Sequence, residues 1–218
     1  MRILPNLGVA GLLLATLTIS TGLAFANDFS FTGSFTADDQ LQSFTFTLAS
    51  SSIIVARTFG YAGGTNAANT DIPAGGFDPW LSLFDSSGNL LASVDNGACG
   101  LVGTDPATGS CFDSYISQSL GAGDYTLILS ESDNQPVGNF LSDGFTRTGQ
   151  GDFTASAFGC TIGPFCDVNA SNRTSAWAVD IDNVTSAGGP SSVPEPALTF
   201  PWLLSFVALA LIRRRRAR

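Results

Sequence analysis

Apolar and polar residues alternate one by one along most of the chain after residue 27. The alternation is clearest where Phe44, Phe46 and Leu48 are separated by Thr residues, and residues 29–35 repeat it with phenylalanine. The same pattern occurs in further runs, at residues 53–59, 80–84, 90–94, 115–120, 125–130, 152–158 and 176–181. Because successive side chains of a strand point to opposite faces, a period of two predicts about nine half-buried strands.

Short segments rich in Gly, Ser and Asn separate the predicted strands. Residues 86–89 and 121–124 have the composition of tight hairpin turns, whereas the Gly- and Asn-rich residues 60–76 predict a long loop. No stretch of about ten residues between the two chain ends has helical periodicity. The predicted fold is therefore all-β: a single antiparallel β-sandwich of about nine strands, jelly-roll-like or immunoglobulin-like.

The chain begins with a predicted export signal. Arg2 precedes an apolar stretch over residues 3–24, and Ala24-Phe25-Ala26 has the small-x-small pattern that signal peptidase recognises. We expect cleavage before Asn27, so that residues 1–26 are a signal peptide. The alternative is an uncleaved N-terminal membrane anchor.

Three elements follow one another at the C-terminus. A Pro-Glu-Pro motif (Pro194, Glu195 and Pro196) precedes an apolar run over residues 197–212, and four arginines come directly after it: Arg213, Arg214, Arg215 and Arg216. The run is short for a membrane helix, which takes about 20 residues to cross a bilayer core. Arginines beyond such a helix stay on the cytoplasmic side and stop transfer. Residues 197–212 are therefore predicted to be a transmembrane helix.

This layout resembles the PEP-CTERM sorting signal of exported bacterial proteins. The resemblance implies that an exosortase, a membrane protease-transpeptidase, recognises residues 194–218 and removes them from a segment that the prolines keep extended. The protein would be held transiently in the inner membrane, through this tail alone, before it reaches the cell surface or the extracellular matrix. The alternative is an uncleaved C-terminal anchor. The mature chain would consist of a domain at residues 27–187 and a linker at 188–193.

Between the two processed ends the chain is strongly acidic. All 18 acidic residues and only three arginines (Arg57, Arg147 and Arg173) lie in residues 27–196, which gives a net charge of −15. The sequence contains no lysine and no histidine. Nucleic acids and anionic lipids require a basic face, so this composition excludes both as partners. It suits solubility outside the cell and attraction of cations.

Four cysteines, Cys99, Cys111, Cys160 and Cys166, lie in the exported part. An even number of cysteines in a secreted domain indicates disulfides, and three pairings are formally possible. We predict Cys99–Cys111 and Cys160–Cys166, because each pair closes one short loop that contains Gly or Pro. A zinc site is the competing interpretation, but neither spacing is Cys-x-x-Cys and no histidine is available.

The centre of the chain carries a second resemblance. Residues 77–97 and 113–129 resemble the bacterial pre-peptidase C-terminal domain, which opens with Asp-x-x-Leu-x-Leu and closes with Ala-Gly-x-Tyr. The matching residues here are Asp78, Leu81, Leu83, Ala122, Gly123 and Tyr125. Residues 61–76 and 142–145 add a likeness to stand-alone PEP-CTERM proteins built around that domain. The resemblance implies a β-sandwich of the kind appended to secreted proteases, with its acidic loop interrupted here by the segment between Cys99 and Cys111.

The residue types of common catalytic sites are missing from the sequence. Without histidine or lysine there is no Ser-His-Asp, Cys-His or Ser-Lys arrangement, and no Gly-x-Ser-x-Gly motif occurs. A carboxylate pair for glycoside hydrolysis remains open, because aspartate is abundant. We expect a non-catalytic structural protein. The alternative is a module, calcium-dependent in one form, that binds extracellular polysaccharide or another surface component. Candidates for a sugar-stacking platform are Trp80, Tyr61, Phe77 and Phe145, although aromatic residues in strands are more often core.

Strand polarity predicts one candidate metal site. If each connection reverses the chain, one end of the sandwich carries Asp78, Asp95, Asn96, Asp113, Asp133 and Asn134, while Asp85, Asn89 and Asp124 lie at the other. Carboxylates brought together repel one another, and calcium, a hard cation with oxygen ligands, would relieve that repulsion. The alternative is that these are merely solvated turn residues. No other cofactor is predicted.

Overall fold

The structure, a computed structural model, describes residues 26–190 and 192–193. The predicted sorting motif at residues 194–196 and 213–216, the predicted transmembrane helix, and all but the last residue of the predicted signal peptide lie outside the described residues. Within the described part of the chain, no helix is both long enough and apolar enough to cross a membrane.

Two antiparallel five-stranded sheets form the domain. The strands are β1 (Asn27–Ser34), β2 (Gln42–Leu48), β3 (Ser52–Thr58), β4 (Gly64–Thr65), β5 (Asp71–Ile72), β6 (Pro79–Asp85), β7 (Leu90–Val94), β8 (Tyr115–Leu120), β9 (Gly123–Glu131), β10 (Ala176–Val184), β11 (Ser186–Gly188) and β12 (Ser192–Val193). The strand orders are β12-β1-β10-β3-β8 and β11-β2-β9-β6-β7, and β4 and β5 form a separate ribbon. The predicted antiparallel all-β architecture is therefore confirmed.

The hydrophobic core lies between the inner faces of the two sheets. It includes Phe31, Ile54 and Val179 from the first sheet and Phe44, Leu81 and Leu127 from the second. The rings of Phe31 and Phe44 pack with their centroids 5.0 Å apart. These residues are the apolar positions of the alternating runs, and burying each such side chain stabilises the fold by roughly 1.5–3 kcal/mol.

One strand prediction is wrong, because residues 152–158 contain a short helix, α1 (Phe153–Phe158). The carboxylate of Asp38 accepts hydrogen bonds from the backbone N–H groups of Phe153 (3.0 Å) and Thr154 (2.7 Å), which leave the first helical turn without intrahelical partners. Gly159 then ends the helix in the left-handed conformation. A capping carboxylate more than 100 residues upstream overrides the alternation of Phe, Thr, Ala and Ser.

The segment predicted to be a linker, residues 188–193, is partly in strands. Gly188 ends β11, which pairs with β2, and Ser192–Val193 pairs with β1. Such edge strands of two or three residues are held by backbone hydrogen bonds and show too little side-chain alternation to be recognised in a sequence.

Both predicted disulfides are present. Cys99 and Cys111 are bonded with their Cα atoms 5.4 Å apart, and Cys160 and Cys166 with theirs 5.8 Å apart. Both bonds lie in connecting segments at the end of the sandwich where β6 begins and β9 ends. We call this the capped end, because residues 36–41, 59–78, 95–114 and 151–175 cover it.

Candidate functional site

The predicted metal ligands flank strands that meet at the capped end. Pro79 at the start of β6 pairs with Glu131 at the end of β9, and Leu81 pairs with Val94 at the end of β7. The hydroxyl oxygen of Ser114, which precedes β8, lies within hydrogen-bond distance of the carbonyl oxygens of Pro79 (2.6 Å) and Val94 (3.0 Å). Strand polarity thus correctly placed residues 78, 95–96, 113 and 133–134 at one end.

Asp113 at this end is already engaged in holding a loop. One of its carboxylate oxygens accepts hydrogen bonds from the hydroxyl of Thr58 (2.8 Å) and the N–H of Tyr61 (3.2 Å), and the other accepts one from the N–H of Ala62 (2.8 Å). Asp113 therefore anchors the start of the loop at residues 60–76 to the end of β3, a structural role that uses both of its oxygens.

Asp133 and Asn134 are engaged as well, both with Arg147. The guanidinium of Arg147 forms an ion pair with Asp133. The backbone N–H of Arg147 donates a hydrogen bond to the side-chain oxygen of Asn134 at 2.9 Å. The structure therefore does not gather the six predicted ligands around one point. In the described residues, no group of three or more His, Cys, Asp or Glu side chains is placed to hold a metal ion.

Asp78 and Asp95 differ from these residues. Each has one buried carboxylate oxygen without a hydrogen-bond partner among the described residues, and Asp78 is only 1% exposed. The other oxygen of Asp95 accepts the side-chain amide of Asn96 at 3.0 Å. Two of the six predicted residues thus keep acceptor capacity that the described fold does not use.

Glu131, the last residue of β9, was not predicted as part of this site. Its side chain has no exposed surface, and neither of its carboxylate oxygens has a hydrogen-bond partner among the described residues. A glutamate that follows an apolar strand resembles an ordinary polar strand end. Only its register, in phase with the core residues Leu127 and Leu129, could have indicated that it points inward.

The electrostatics of this cluster follow from burial and like charge. Burial raises the pKa of Asp78 to about 9, and the nearby charges of Asp95, Asp167 and Asp113 raise it further. Burial also raises the pKa of Glu131 well above its usual value, reinforced by the charge of Asp78. These carboxyl groups therefore lie close enough to one another for each to oppose ionisation of its neighbours.

Arg173, whose charge lowers the pKa of Asp78 and Glu131, is hydrogen-bonded to other partners. Its guanidinium donates to Asp105 (3.2 Å) and to the carbonyl oxygens of Gly76 (2.8 Å) and Tyr61 (2.8 Å), and it lies 3.7 Å from the centroid of the Tyr61 ring. The side chains of Arg173 and Asp105 are 3% and 1% exposed. Arg173 thus joins three segments of the capped end and makes no hydrogen bond to Asp78 or Glu131.

The candidate sugar-stacking platform is not formed. Tyr61, Phe77 and Phe145 are buried, and Trp80 lies on a strand with its indole N–H donated to the hydroxyl of Ser93 at 2.6 Å. Tyr61, Phe77 and Phe145 therefore belong to the interior, whereas Trp80 is partly exposed.

A surface groove of about 620 Å³ lies on the second sheet, toward the end opposite the cap. Its lining is rich in hydroxyl groups and includes Thr45, Thr47, Asp124, Tyr125, Thr126 and Ser186. The ring of Tyr125 stacks on Phe46 with centroids 5.3 Å apart, and its hydroxyl donates to the carbonyl of Gly121. This groove combines a fixed aromatic ring with hydrogen-bonding side chains.

The chain matches no model of a protein family, and the search of curated proteins found no match.

Proposed function

We propose that the mature protein is an exported, non-catalytic component of the cell surface or extracellular matrix, released from the membrane by an exosortase. The observation that carries the proposal is the pair of disulfides, Cys99–Cys111 and Cys160–Cys166, in a single acidic sandwich. Disulfides persist in oxidising compartments outside the cytoplasm, and a net charge of −15 for residues 27–196 favours solubility there.

The route of export is proposed from the two chain ends. Signal peptidase would remove residues 1–26, and an exosortase would act at the Pro-Glu-Pro motif before the apolar segment and the arginines. After both steps only the acidic domain remains, and its contact with the membrane ends.

Two features of the described residues support a non-catalytic role. Asp78 and Glu131, two of the carboxyl groups with free acceptor capacity, are 1% and 0% exposed, so a sugar chain has no access to these two for the two-carboxylate chemistry of glycosidases. All four cysteines are bonded in pairs, which removes thiolate nucleophiles.

The export proposal is tested by fractionating the native organism and determining the C-terminus of the protein by mass spectrometry. We expect the mature chain to end near residues 194–196 and to lack residues 197–218. Replacing Glu195 with Ala, or the arginines at 213–216 with Ser, should leave precursor in the inner membrane, whereas Pro190→Ala outside the motif should not. An intact tail on correctly localised protein would contradict the proposal.

Polysaccharide binding is a second candidate function, favoured by the groove around Tyr125. Sugars bind on aromatic faces that are flanked by hydroxyl and carboxylate groups. We expect the exported domain to be retained on extracellular polysaccharide, and the pair Asp124→Ala and Thr126→Ala to abolish retention. Ser119→Ala, an exposed substitution on the first sheet, is the control. Equal retention of the wild type, the double variant Asp124→Ala/Thr126→Ala and the control Ser119→Ala would exclude the groove as the binding site.

A further inference from the structure

Glu131 is a buried acid whose described contacts do not explain it. It shares the inward phase of Leu127 and Leu129 at the end of β9, and its side chain is 0% exposed. Neither oxygen accepts a hydrogen bond from the described residues. An isolated carboxylate inside a protein is strongly unfavourable unless a cation or several donors compensate it.

Asp78 lies at the same strand end. Its neighbour Pro79 pairs with Glu131, and the backbone N–H of Ser132 donates to the carbonyl oxygen of Asp78 at 2.8 Å. The Oδ1 atom of Asp78 is buried and likewise has no partner among the described residues. Two unpartnered acids, both enclosed by the cap, therefore sit on adjoining strands.

No arginine of the described chain forms an ion pair with Asp78 or Glu131, although the charge of Arg173 lowers the pKa of both acids. Arg173 is bound to Asp105 and to two backbone carbonyls, Arg147 to Asp133, and Arg57 lies 3.8 Å from both Asp180 and Asp182. The sequence supplies no lysine or histidine. A cation that binds between Asp78 and Glu131 would therefore come from solution.

We propose that Asp78 and Glu131 together bind one calcium ion between β6 and β9 at the capped end. Two carboxylates balance its charge, and calcium completes its six to eight oxygen ligands with backbone carbonyls and water. Asp38 and Asp167 lie close enough to Glu131 to act on its charge, so the field around the pair is negative and attracts a cation. This pair differs from the six-residue set predicted from strand polarity, because it keeps only Asp78 from that set and adds Glu131.

The test is calcium binding by the exported protein after its metals have been removed with EDTA. Titration calorimetry should show one calcium per chain, and calcium should raise the melting temperature, because a ligand that binds only the folded state stabilises it. Glu131→Gln and Asp78→Asn should each weaken binding about tenfold or more, since calcium affinity follows the number of charged ligands. Asp124→Asn, an exposed acid at the opposite end, should bind as the wild type does.

Both test variants keep the shape of the side chain and replace a buried acid that has an oxygen without a hydrogen-bond partner with a neutral amide, so their metal-free melting temperatures should be no lower than that of the wild type. Metal analysis of the native protein, purified without chelator, should find calcium at about one per chain and gives a readout that does not depend on any variant. The inference is overturned if no stoichiometric calcium is bound. It is equally overturned if Glu131→Gln and Asp78→Asn bind calcium like Asp124→Asn, because the ion would then be held by the acidic surface.

Discussion

Replacing Arg173 with methionine is expected to destabilise the domain by about 3–5 kcal/mol, the usual cost of removing one partner from a buried ion pair. The structure shows why the cost is large: the substitution leaves Asp105, which is 1% exposed, without its cation. It also removes the donors of the carbonyl groups of Gly76 and Tyr61, and an unsatisfied buried acceptor costs about 1–3 kcal/mol. Against a total stability of about 5–15 kcal/mol for a domain, this loss is easily measured.

The assay is urea unfolding of the oxidised protein followed by circular dichroism at neutral pH. Arg147→Met is the matched control, because its ion pair with Asp133 is partly exposed on both sides and such pairs contribute about 1 kcal/mol or less. Adding Asp105→Asn to Arg173→Met should recover part of the loss by removing the orphaned charge. If Arg173→Met lowers the free energy of unfolding no more than Arg147→Met does, Arg173 does not stabilise the contacts between the segments of the capped end, and this reasoning is wrong.

Three further predictions concern the cap and its supports. Replacing Cys99 and Cys111 with Ser should cost about 2–3 kcal/mol, the chain-entropy value for a loop of about a dozen residues, and non-reducing peptide mapping should recover this pair from the wild type. Burial tends to raise the pKa of Asp105, but hydrogen bonds and the adjacent arginine lower it below its ordinary value. Ionised Asp105 therefore adds to the free energy of unfolding above about pH 4, and this stabilisation is lost as the pH falls through the lowered pKa. In acid unfolding experiments the difference in the free energy of unfolding between wild type and Asp105→Asn should disappear. Gly76→Ala should cost about 1–3 kcal/mol in urea unfolding, because the added methyl group meets two backbone carbonyl oxygens, whereas Gly121→Ala, with no atom within 4 Å, should be near neutral.

The longer strands of the two sheets could be predicted because apolar residues alternate with polar ones wherever one face of a strand is buried. Eight of the nine predicted runs coincide with the eight longer strands of the structure, β1 to β3 and β6 to β10. The short strands β4, β5, β11 and β12 could not be predicted, because two or three residues show no periodicity. Residues 152–158 were misassigned because the decisive cap, Asp38, comes from 115 positions earlier in the chain.

The candidate site likewise has a part that could be predicted from local sequence and a part that could not. Strand polarity is a local property, and it correctly brought the predicted acids to one end. Whether an acid there is free depends on partners that are distant in sequence, such as Thr58 for Asp113, 55 positions away. Sequence spacing carries no record of such a contact. Glu131 was missed for a related reason, since its inward direction is visible only once the register of β9 is known.

The cap shows how a domain without lysine or histidine can bury several carboxylates. Asp38, Asp113 and Asp167 each accept at least two backbone N–H groups, so hydrogen-bond donors of the chain replace a counterion at these positions. Asp78 and Glu131 stand outside this arrangement.

The difference between these two groups of acids has a consequence if the protein is exported as proposed. Extracellular calcium sites bind with dissociation constants of about 10⁻⁴–10⁻³ M, so a site of that affinity is filled only where calcium is abundant. With Asp78 and Glu131 as ligands, calcium at such concentrations would bind the folded cap and stabilise it. The cap would then reach full stability in the extracellular compartment that we propose as the destination of the protein.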